Sequence, residues 1–165
     1  MLTRAAAAGG PRDGRDADHG SATPLGRDAI ARLVPHQGTM CLLDRALHWD
    51  AERIECEADS HREPANPLRR DGALPAVCGL EYALQAMALH GALLAGGTPQ
   101  RAGYLSSLRD VTLGATRLDT VSGALHVVAT SLVAESQGFV YRFEVRGEGR
   151  ILLSGQAAII LPTPA

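Results

Sequence analysis

Apolar and polar residues are arranged differently in successive parts of the chain, and each arrangement predicts a different kind of structure. Residues 1–24 contain almost no large apolar side chains. Such a segment buries too little surface to offset the entropy lost on ordering. We therefore predict a flexible tail over residues 1–24 and one folded domain over residues 25–165. The domain begins with a short helix over Asp28–Leu33, which ends before Pro35.

Alternating or continuously apolar runs predict β-strands. Residues 53–61 place small or apolar side chains on one face and charged side chains on the other, as in a half-buried strand. Gly147-Glu148-Gly149 is typical of a tight hairpin turn. The further predicted strands cover residues 40–49, 103–118, 125–134, 139–146 and 150–161.

A long apolar segment between the second and third strands predicts a buried helix. Pro75 can occupy the first helical position, where its missing N–H costs nothing. Ala76–Ala95 is apolar on nearly all sides, and Gly96-Gly97 ends the helix. One buried helix among antiparallel strands predicts an α+β domain whose sheet wraps around that helix.

Composition and charge exclude several classes of protein. The chain has 165 residues, 45% of them hydrophobic, and a formal net charge of -2, which favours no nucleic acid partner. The most apolar stretch is interrupted by Gln85, His90 and Gly91, so we predict no membrane span. Three cysteines without a C-x-x-C pair predict neither a metal site nor a disulfide framework, and they suggest a cytoplasmic location.

Glu81 is the residue that fits its surroundings least. It lies about one turn inside the apolar helix, where a carboxylate is costly if buried and unpaired. A carboxyl group in such a place suits general acid–base chemistry. A glutamate at the helix edge that points to water is an equally good interpretation. Gln85 follows one turn later and could orient Glu81 or satisfy a core backbone carbonyl.

Among the histidines, His61 is the best candidate partner for Glu81 by chain position. It ends the second predicted strand and opens the loop that leads into the helix. A solvated histidine at a strand end is the alternative interpretation. His36, next to Pro35 in a loop, is interpreted as structural.

Arginines cluster in the loop before the helix and predict a basic rim. Arg62, Arg69 and Arg70 could meet an acidic partner or a phosphate at the mouth of a cleft. An ordinary solvated loop is the more common explanation of such a cluster.

Several motifs together resemble one enzyme family. Residues 33–36 and 40–45 resemble the L-P-H and L-L-x-D-R opening of 3-hydroxyacyl-acyl-carrier-protein dehydratases. Pro75–Gln85 resembles that family's P-G-x-x-x-x-E-x-x-x-Q helix start without gaps. Ser60-His61 and residues 66–91 further resemble the dehydratase subgroup encoded with aryl-polyene pigment pathways. The resemblance covers residues 26–162.

This resemblance implies a hotdog fold and the elimination of water from a 3-hydroxyacyl thioester, giving a trans-2-enoyl product. It implies no metal and no organic cofactor. A histidine removes the α-proton and a carboxylic acid helps the β-hydroxyl leave, and Glu81 matches the acid. The family's H-F-P-G is absent, and Asn66–Leu68 stands in its place, so His61 is assigned as the base. Ala76 matches the residue whose N–H holds the thioester carbonyl.

The resemblance also implies partners. The substrate would be an acyl-phosphopantetheine on acyl-carrier protein, an acidic protein for which Arg69 and Arg70 would form a docking and substrate-binding rim. Gln85 would also bind the substrate. The domain would form a homodimer, or a heterodimer with a related hotdog subunit. Two alternatives stay open. The chain could be a non-catalytic partner subunit of a heteromeric dehydratase, or a hotdog acyl thioesterase.

Overall fold

The computed structural model describes residues 23–162, so the predicted flexible tail falls almost wholly outside the described residues. Two helices are present in this range, α1 over Arg27–Leu33 and α2 over Gly79–Leu94. The seven strands are β1 Leu25–Gly26, β2 Arg45–Trp49, β3 Arg53–Ala58, β4 Tyr104–Leu113, β5 Leu125–Glu135, β6 Gly138–Gly147 and β7 Arg150–Ile160. Short 3-10 turns cover Gly38–Met40, Ser60–Arg62 and Ala76–Cys78.

All seven strands form one antiparallel sheet in the order β1-β2-β3-β5-β6-β7-β4. Helix α2 packs against β3, β5, β6 and β7, and ten of its sixteen residues are buried. The sheet therefore wraps around one long buried helix, which confirms the predicted α+β architecture. Ala76–Leu94 meets the length and composition of a membrane-crossing helix. Buried core helices meet the same test, and here the helix is the centre of the domain.

Three predicted strands are longer than the observed ones, each because the chain turns earlier. Residues 38–40 form a 3-10 turn and residues 41–44 are irregular, and β2 starts only at Arg45. Residues 60–62 form another, so β3 ends at Ala58. Strand β4 ends at Leu113 rather than residue 118. A Cβ on Gly114 would lie 2.2 Å from the Ile151 carbonyl oxygen, so the backbones approach too closely there for a side chain.

Residues 115–118, predicted as strand, instead hold the start of the central helix. The N–H of Ala76 donates to the Thr116 carbonyl at 2.9 Å, and the N–H of Leu118 donates to the Leu74 carbonyl at 2.9 Å. These two bonds tie the segment before α2 to residues 116–118, which follow β4. The predicted helix start is therefore fixed by partners that lie about forty residues away in sequence.

Strand β4 is a long edge of the sheet. It pairs with β7 on one side, and no strand in residues 23–162 pairs with its other side. Its exposed apolar side chains are Tyr104, Leu105, Leu108, Val111 and Leu113. An unpaired edge of this length with this much apolar surface is an interaction site or an aggregation hazard.

Candidate active site

The site begins with a cavity of about 420 Å³ between the middle of α2 and the first residues of β4. Cavities of this size hold small ligands. One end is polar, where His36 and Glu81 lie. The rest of the lining is mainly small or apolar: Pro35, Leu84, Ala88, Ala102, Gly103, Leu105, Phe139 and Ile159, with Gln100 and Arg101 beside them.

The polar end consists of a histidine and a carboxylate that face each other. The His36 Nε2 atom lies 4.0 Å from the Glu81 Oε2 atom. The side chains are 23% and 38% exposed, so water reaches both and neither is buried without access. Glu81 was interpreted either as an acid–base group within the apolar helix or as a glutamate at the helix edge that points to water. Its partial exposure agrees with a position at the helix edge. Its carboxylate, however, faces a cavity and a histidine.

Burial lowers the pKa of His36 below its usual value, and the nearby Glu81 carboxylate opposes that shift. The His36 ring is thus neutral at neutral pH, the form that can accept a proton. Its Nδ1 atom is buried and has no hydrogen-bond partner among residues 23–162. Nothing in the described chain therefore fixes which ring nitrogen carries the proton.

Gln85 connects the helix to the segment that carries His36. Its Nε2 donates to the Met40 carbonyl at 2.6 Å, and its Oε1 accepts from the Leu42 N–H at 2.9 Å. The side chain is fully buried. Because Gln85 lies one turn after Glu81 on the same helix, this two-point clamp sets the distance between the carboxylate and the loop. Its hydrogen bonds go to backbone, as the second of the two sequence interpretations predicted.

A buried chain of side-chain hydrogen bonds supports the same segment. The Asn66 Nδ2 atom lies 3.0 Å from the Tyr82 hydroxyl, which lies 3.0 Å from the Ser60 hydroxyl. The Ser60 hydroxyl donates to the Leu42 carbonyl at 2.7 Å, so the Tyr82 hydroxyl donates to Ser60. Burial raises the pKa of Tyr82, which keeps this hydroxyl protonated as a donor. Asn66, Tyr82 and Ser60 thus hold the segment that contains Leu42 in place.

His61 lies elsewhere, and no contact joins it to Glu81 among the described residues. Its ring is fully buried, with Nε2 3.1 Å from the Val121 carbonyl oxygen. Burial is also the main cause that lowers its pKa. It does not line the cavity that contains Glu81. A ring buried inside its own chain is also poorly placed to reach Glu81 of a partner. Its assignment as the base stays a prediction, and this geometry gives it no support.

The other predicted site residues are occupied by structural contacts. Ala76 is buried, and its N–H already donates to Thr116. The Arg69 guanidinium donates to the carbonyls of Glu63, Gly72, His61 and Arg62 and lies 3.8 Å from the Asp119 carboxylate. Arg70 donates to the carbonyls of Pro67 and Arg69. These side chains organise the loop before α2, and their substrate roles stay predictions.

Comparison of the sequence with models of protein families identifies the family of this chain. The family described as ApeP-like, ApeP dehydratase, matches residues 28–165, which is most of the chain. The chain belongs to the ApeP-like dehydratase family. The resemblance to the aryl-polyene dehydratase subgroup is thereby confirmed. No protein of curated function matches this ApeP-like sequence.

Solved structures show the hotdog fold of this ApeP-like chain. The dehydratase heterocomplex ApeI:P from Xenorhabdus doucetiae matches with a TM-score of 0.70 and 18% identity, covering 81% of this chain and 91% of that one. Zebra fish thioesterase superfamily member 2 matches at 0.57 and 13%, covering 84% and 99%. A HP0420-homologue from Helicobacter felis matches at 0.56 and 15%, covering 84% and 90%. At these identities the likeness concerns the fold.

Sequence reasoning missed His36 as a candidate site residue of this ApeP-like protein. The signal was present, because His36 belongs to the L-P-H opening on which the resemblance partly rested. Its place after Pro35 in a loop favours a structural interpretation, and chain position favours His61, which lies 20 residues before Glu81 whereas His36 lies 45 before it. Chain distance was a poor guide here, since the fold brings the loop after α1 back onto α2.

Proposed function

We propose that this protein dehydrates 3-hydroxyacyl thioesters carried on acyl-carrier protein to trans-2-enoyl thioesters, with His36 as base and Glu81 as acid. The observation that carries the proposal is the His36–Glu81 pair at the polar end of a mainly apolar cavity. Membership of a dehydratase family supports the reaction class. The cavity supports a substrate with a polar reacting end and an apolar tail.

The proposed steps use the two side chains in turn. The neutral His36 ring takes the proton from the carbon next to the thioester carbonyl. The electron pair left behind forms the new C=C bond as the bond from the β-carbon to oxygen breaks. Glu81, which the proposal requires in its acid form when substrate is bound, gives its proton to the departing hydroxyl, which leaves as water.

After these steps an imidazolium faces a carboxylate, and return of the proton from His36 to Glu81 restores the starting state. The separation of 4.0 Å is longer than a hydrogen bond. Catalytic contacts are often long without substrate and shorten in the complex, and one water can also bridge them. The pair therefore supports a cycle in which both groups regain their protonation without other residues.

Docking of an acidic carrier protein is proposed at the mouth of this cavity. The N–H of Gln100 donates to the Leu33 carbonyl at 2.9 Å, which brings the neighbouring Arg101 and Arg32 to the same side of the domain. Both arginines are exposed, and neither forms an ion pair with the described residues, although one N–H of Arg101 donates to the Pro162 carbonyl at 3.0 Å. Arg101 also lines the cavity. This rim is proposed in place of Arg69 and Arg70, because the Arg69 guanidinium donates to four loop carbonyls and the Arg70 guanidinium to two, whereas Arg101 donates to one.

Assembly with a second hotdog subunit is proposed at strand β4. The exposed apolar side chains of this edge would be covered if the β4 edge of a partner paired with it. The partner would be a second copy or a related subunit. The latter is suggested by the solved complex whose name describes a dehydratase heterocomplex.

The test is incubation of the purified chain, alone and with a related hotdog subunit, with a 3-hydroxyacyl-carrier protein. Mass spectrometry should show loss of water from the acyl group. Glu81→Gln and His36→Ala should each abolish conversion with the fold unchanged by circular dichroism, whereas His126→Ala, at an exposed histidine, should be active.

Other outcomes separate the alternatives. Release of free thiol would indicate a thioesterase. Activity only on mixing, insensitive to Glu81→Gln, would indicate a non-catalytic partner. Loss of activity in His61→Asn but not in His36→Ala would assign the base to His61. No conversion under any condition would overturn the proposal.

A further inference from the structure

His36 lies in the segment between α1 and β2, residues 34–44, which packs against α2 without belonging to a helix or strand itself. One backbone contact fixes the start of this segment. The Leu33 carbonyl accepts a hydrogen bond from the Gln100 N–H at 2.9 Å. The distance from His36 to Glu81 therefore depends on how the other end of the segment is held.

The other end is held by an ion pair between Arg27, the first residue of α1, and Asp44, the aspartate of the L-L-x-D-R motif. The Arg27 Nη1 atom donates to the Asp44 Oδ1 atom at 2.9 Å, and Nη2 donates to the Cys41 carbonyl at 2.8 Å. The second carboxylate oxygen of Asp44 accepts from the Asp59 N–H at 2.6 Å. The Asp44 N–H donates to the Glu57 carbonyl at 2.9 Å. Asp44 thus joins the segment to α1, to β3 and to the residue just after β3.

These contacts close the chain into a ring that contains His36. Helix α1 runs from Arg27 to Leu33, and the guanidinium at its start holds Cys41, which lies beyond the histidine. A shorter closed path leaves fewer conformations to the residues inside it. Gln85 attaches the same segment to α2, whereas the ion pair attaches it to α1 and β3. The two attachments together determine where the imidazole lies relative to α2.

The two charged residues of the motif differ in what they hold. The side chains of Arg27 and Asp44 are 36% and 22% exposed, so solvent screens their pair only in part. Hydrogen bonds between charged groups are about twice as strong as neutral ones. Arg45, the next residue of the motif, pairs with Glu57 at 2.7 Å across two neighbouring strands. Among the described residues, the Arg45 guanidinium bonds to nothing in the segment that carries the histidine.

We propose that Arg27 and Asp44 are positioning residues for the reaction, because their ion pair holds the segment so that the His36 ring faces Glu81. This inference rests on the proposed function. Neither residue lines the cavity, so both act through the backbone of the segment rather than on the substrate. A displacement of about 1 Å caused by a change far from the chemistry can lower a rate about a hundredfold. Loosening the segment should therefore affect turnover much more than substrate binding.

The first measurement is steady-state dehydration of a 3-hydroxyacyl-carrier protein. Asp44→Asn keeps the size of the side chain and removes its charge, and Arg27→Met removes the donors. Each should lower kcat about ten- to hundredfold while KM changes by less than about threefold. Arg27→Lys should recover part of the loss, because an ammonium group lacks the planar fork that reaches both acceptors. Arg45→Met is the matched control, and its kcat should stay within about twofold of wild type.

The double variant tests whether the two residues act as a unit. If the ion pair carries the effect, Arg27→Met combined with Asp44→Asn should lose clearly less kcat than the product of the two single losses. Losses that multiply would show that the residues act independently and would contradict the inference.

The second measurement needs no turnover and follows the pKa of the His36 ring by NMR, using the resonances that disappear in His36→Ala. Burial is the main cause that lowers this pKa, and the Glu81 carboxylate opposes the shift. A loosened segment exposes the ring, so Asp44→Asn should raise the pKa toward about 6.5. Arg45→Met should leave it unchanged. The other charged side chain at this cavity, Arg101, is the same in both variants.

Wild-type kcat and an unchanged His36 pKa in Asp44→Asn and Arg27→Met would overturn the inference, as would an equal loss in Arg45→Met. If Asp44→Asn does not fold by circular dichroism, Arg27→Lys makes both measurements with a smaller change. A raised pKa in variants of a wild type that dehydrates nothing would contradict only the proposed function. Dehydration that these variants leave unchanged would contradict only this inference.

Discussion

The clamp formed by Gln85 gives the sharpest stability prediction. Gln85→Met keeps the length and apolar packing of the side chain but removes both of its polar atoms. The Met40 carbonyl and the Leu42 N–H then lose the partners that held them at 2.6 and 2.9 Å. A buried backbone group left unpaired costs about 1–3 kcal/mol, so the two together, with the Met40 carbonyl only partly buried, cost roughly 2–4 kcal/mol.

Such a loss is a large part of the roughly 5–15 kcal/mol by which a domain of this kind is stable. At roughly 3 °C per kcal/mol for a domain of this size, Tm should fall by about 6–12 °C in a thermal melt followed by circular dichroism. Gln156→Met is the matched control, because that glutamine makes only a long exposed contact of 3.3 Å to Asp110. Its Tm should change by no more than about 1–2 °C.

The clamp also predicts an effect on chemistry that a stability loss alone would not give. Because Gln85 sets the position of the loop that carries His36, kcat should fall more than KM rises in Gln85→Met, measured well below its Tm. If Gln85→Met melts with the wild type, or loses neither Tm nor kcat, the reasoning about the clamp is wrong.

Three further predictions follow from single groups. In the pH profile of kcat/KM, activity should fall on the acid side with a midpoint below about 6.5. The reason is that His36 must be neutral to act as base, and burial lowers its pKa. A midpoint above about 6.5 would contradict this. Tyr141→Phe should cost about 1–3 kcal/mol in urea unfolding, because the His90 Nδ1 atom, 2.7 Å from the Tyr141 hydroxyl, loses its only donor. Leu108→Arg should convert an assembly paired through β4 to monomer by light scattering, whereas Leu94→Arg, exposed at the end of α2, should not.

Linkage gives His61 a testable role in stability. Burial lowers the pKa of its ring, so the folded state binds a proton less readily than the unfolded state. Stability is therefore complete above the unfolded value of about 6.5 and falls as the pH drops through the folded value. His61→Gln should flatten this acid-side loss in urea unfolding measured between about pH 7 and pH 5. An unchanged slope would show that other groups cause it.

The fold was predictable because the patterns that define it are local. An apolar segment bounded by Pro75 and Gly96 predicts a buried helix, and alternation at residues 139–146 predicts a half-buried strand. Strand ends were less predictable, since they depend on approaches such as that of Gly114 to Ile151, which no local pattern reveals.

The candidate site was predictable only in part. Glu81 could be found as a carboxylate out of place on an apolar helix. His36 could not be found by chain proximity, because the contact with Glu81 depends on how the loop after α1 returns to α2. The roles of Arg69 and Ala76 depend on which backbone groups they meet, and those partners are distant in sequence.

The position of β7 between β6 and β4 has a consequence for biosynthesis. Strand β4 is complete at residue 113, but the strand it pairs with, β7, spans Arg150–Ile160 near the end of the chain. A growing polypeptide on the ribosome therefore presents an apolar strand with neither edge covered until residues 150–160 are made. Such an intermediate invites capture by chaperones or by a neighbouring nascent subunit. Truncation before residue 153 would leave that strand unpaired permanently, so it should yield insoluble protein.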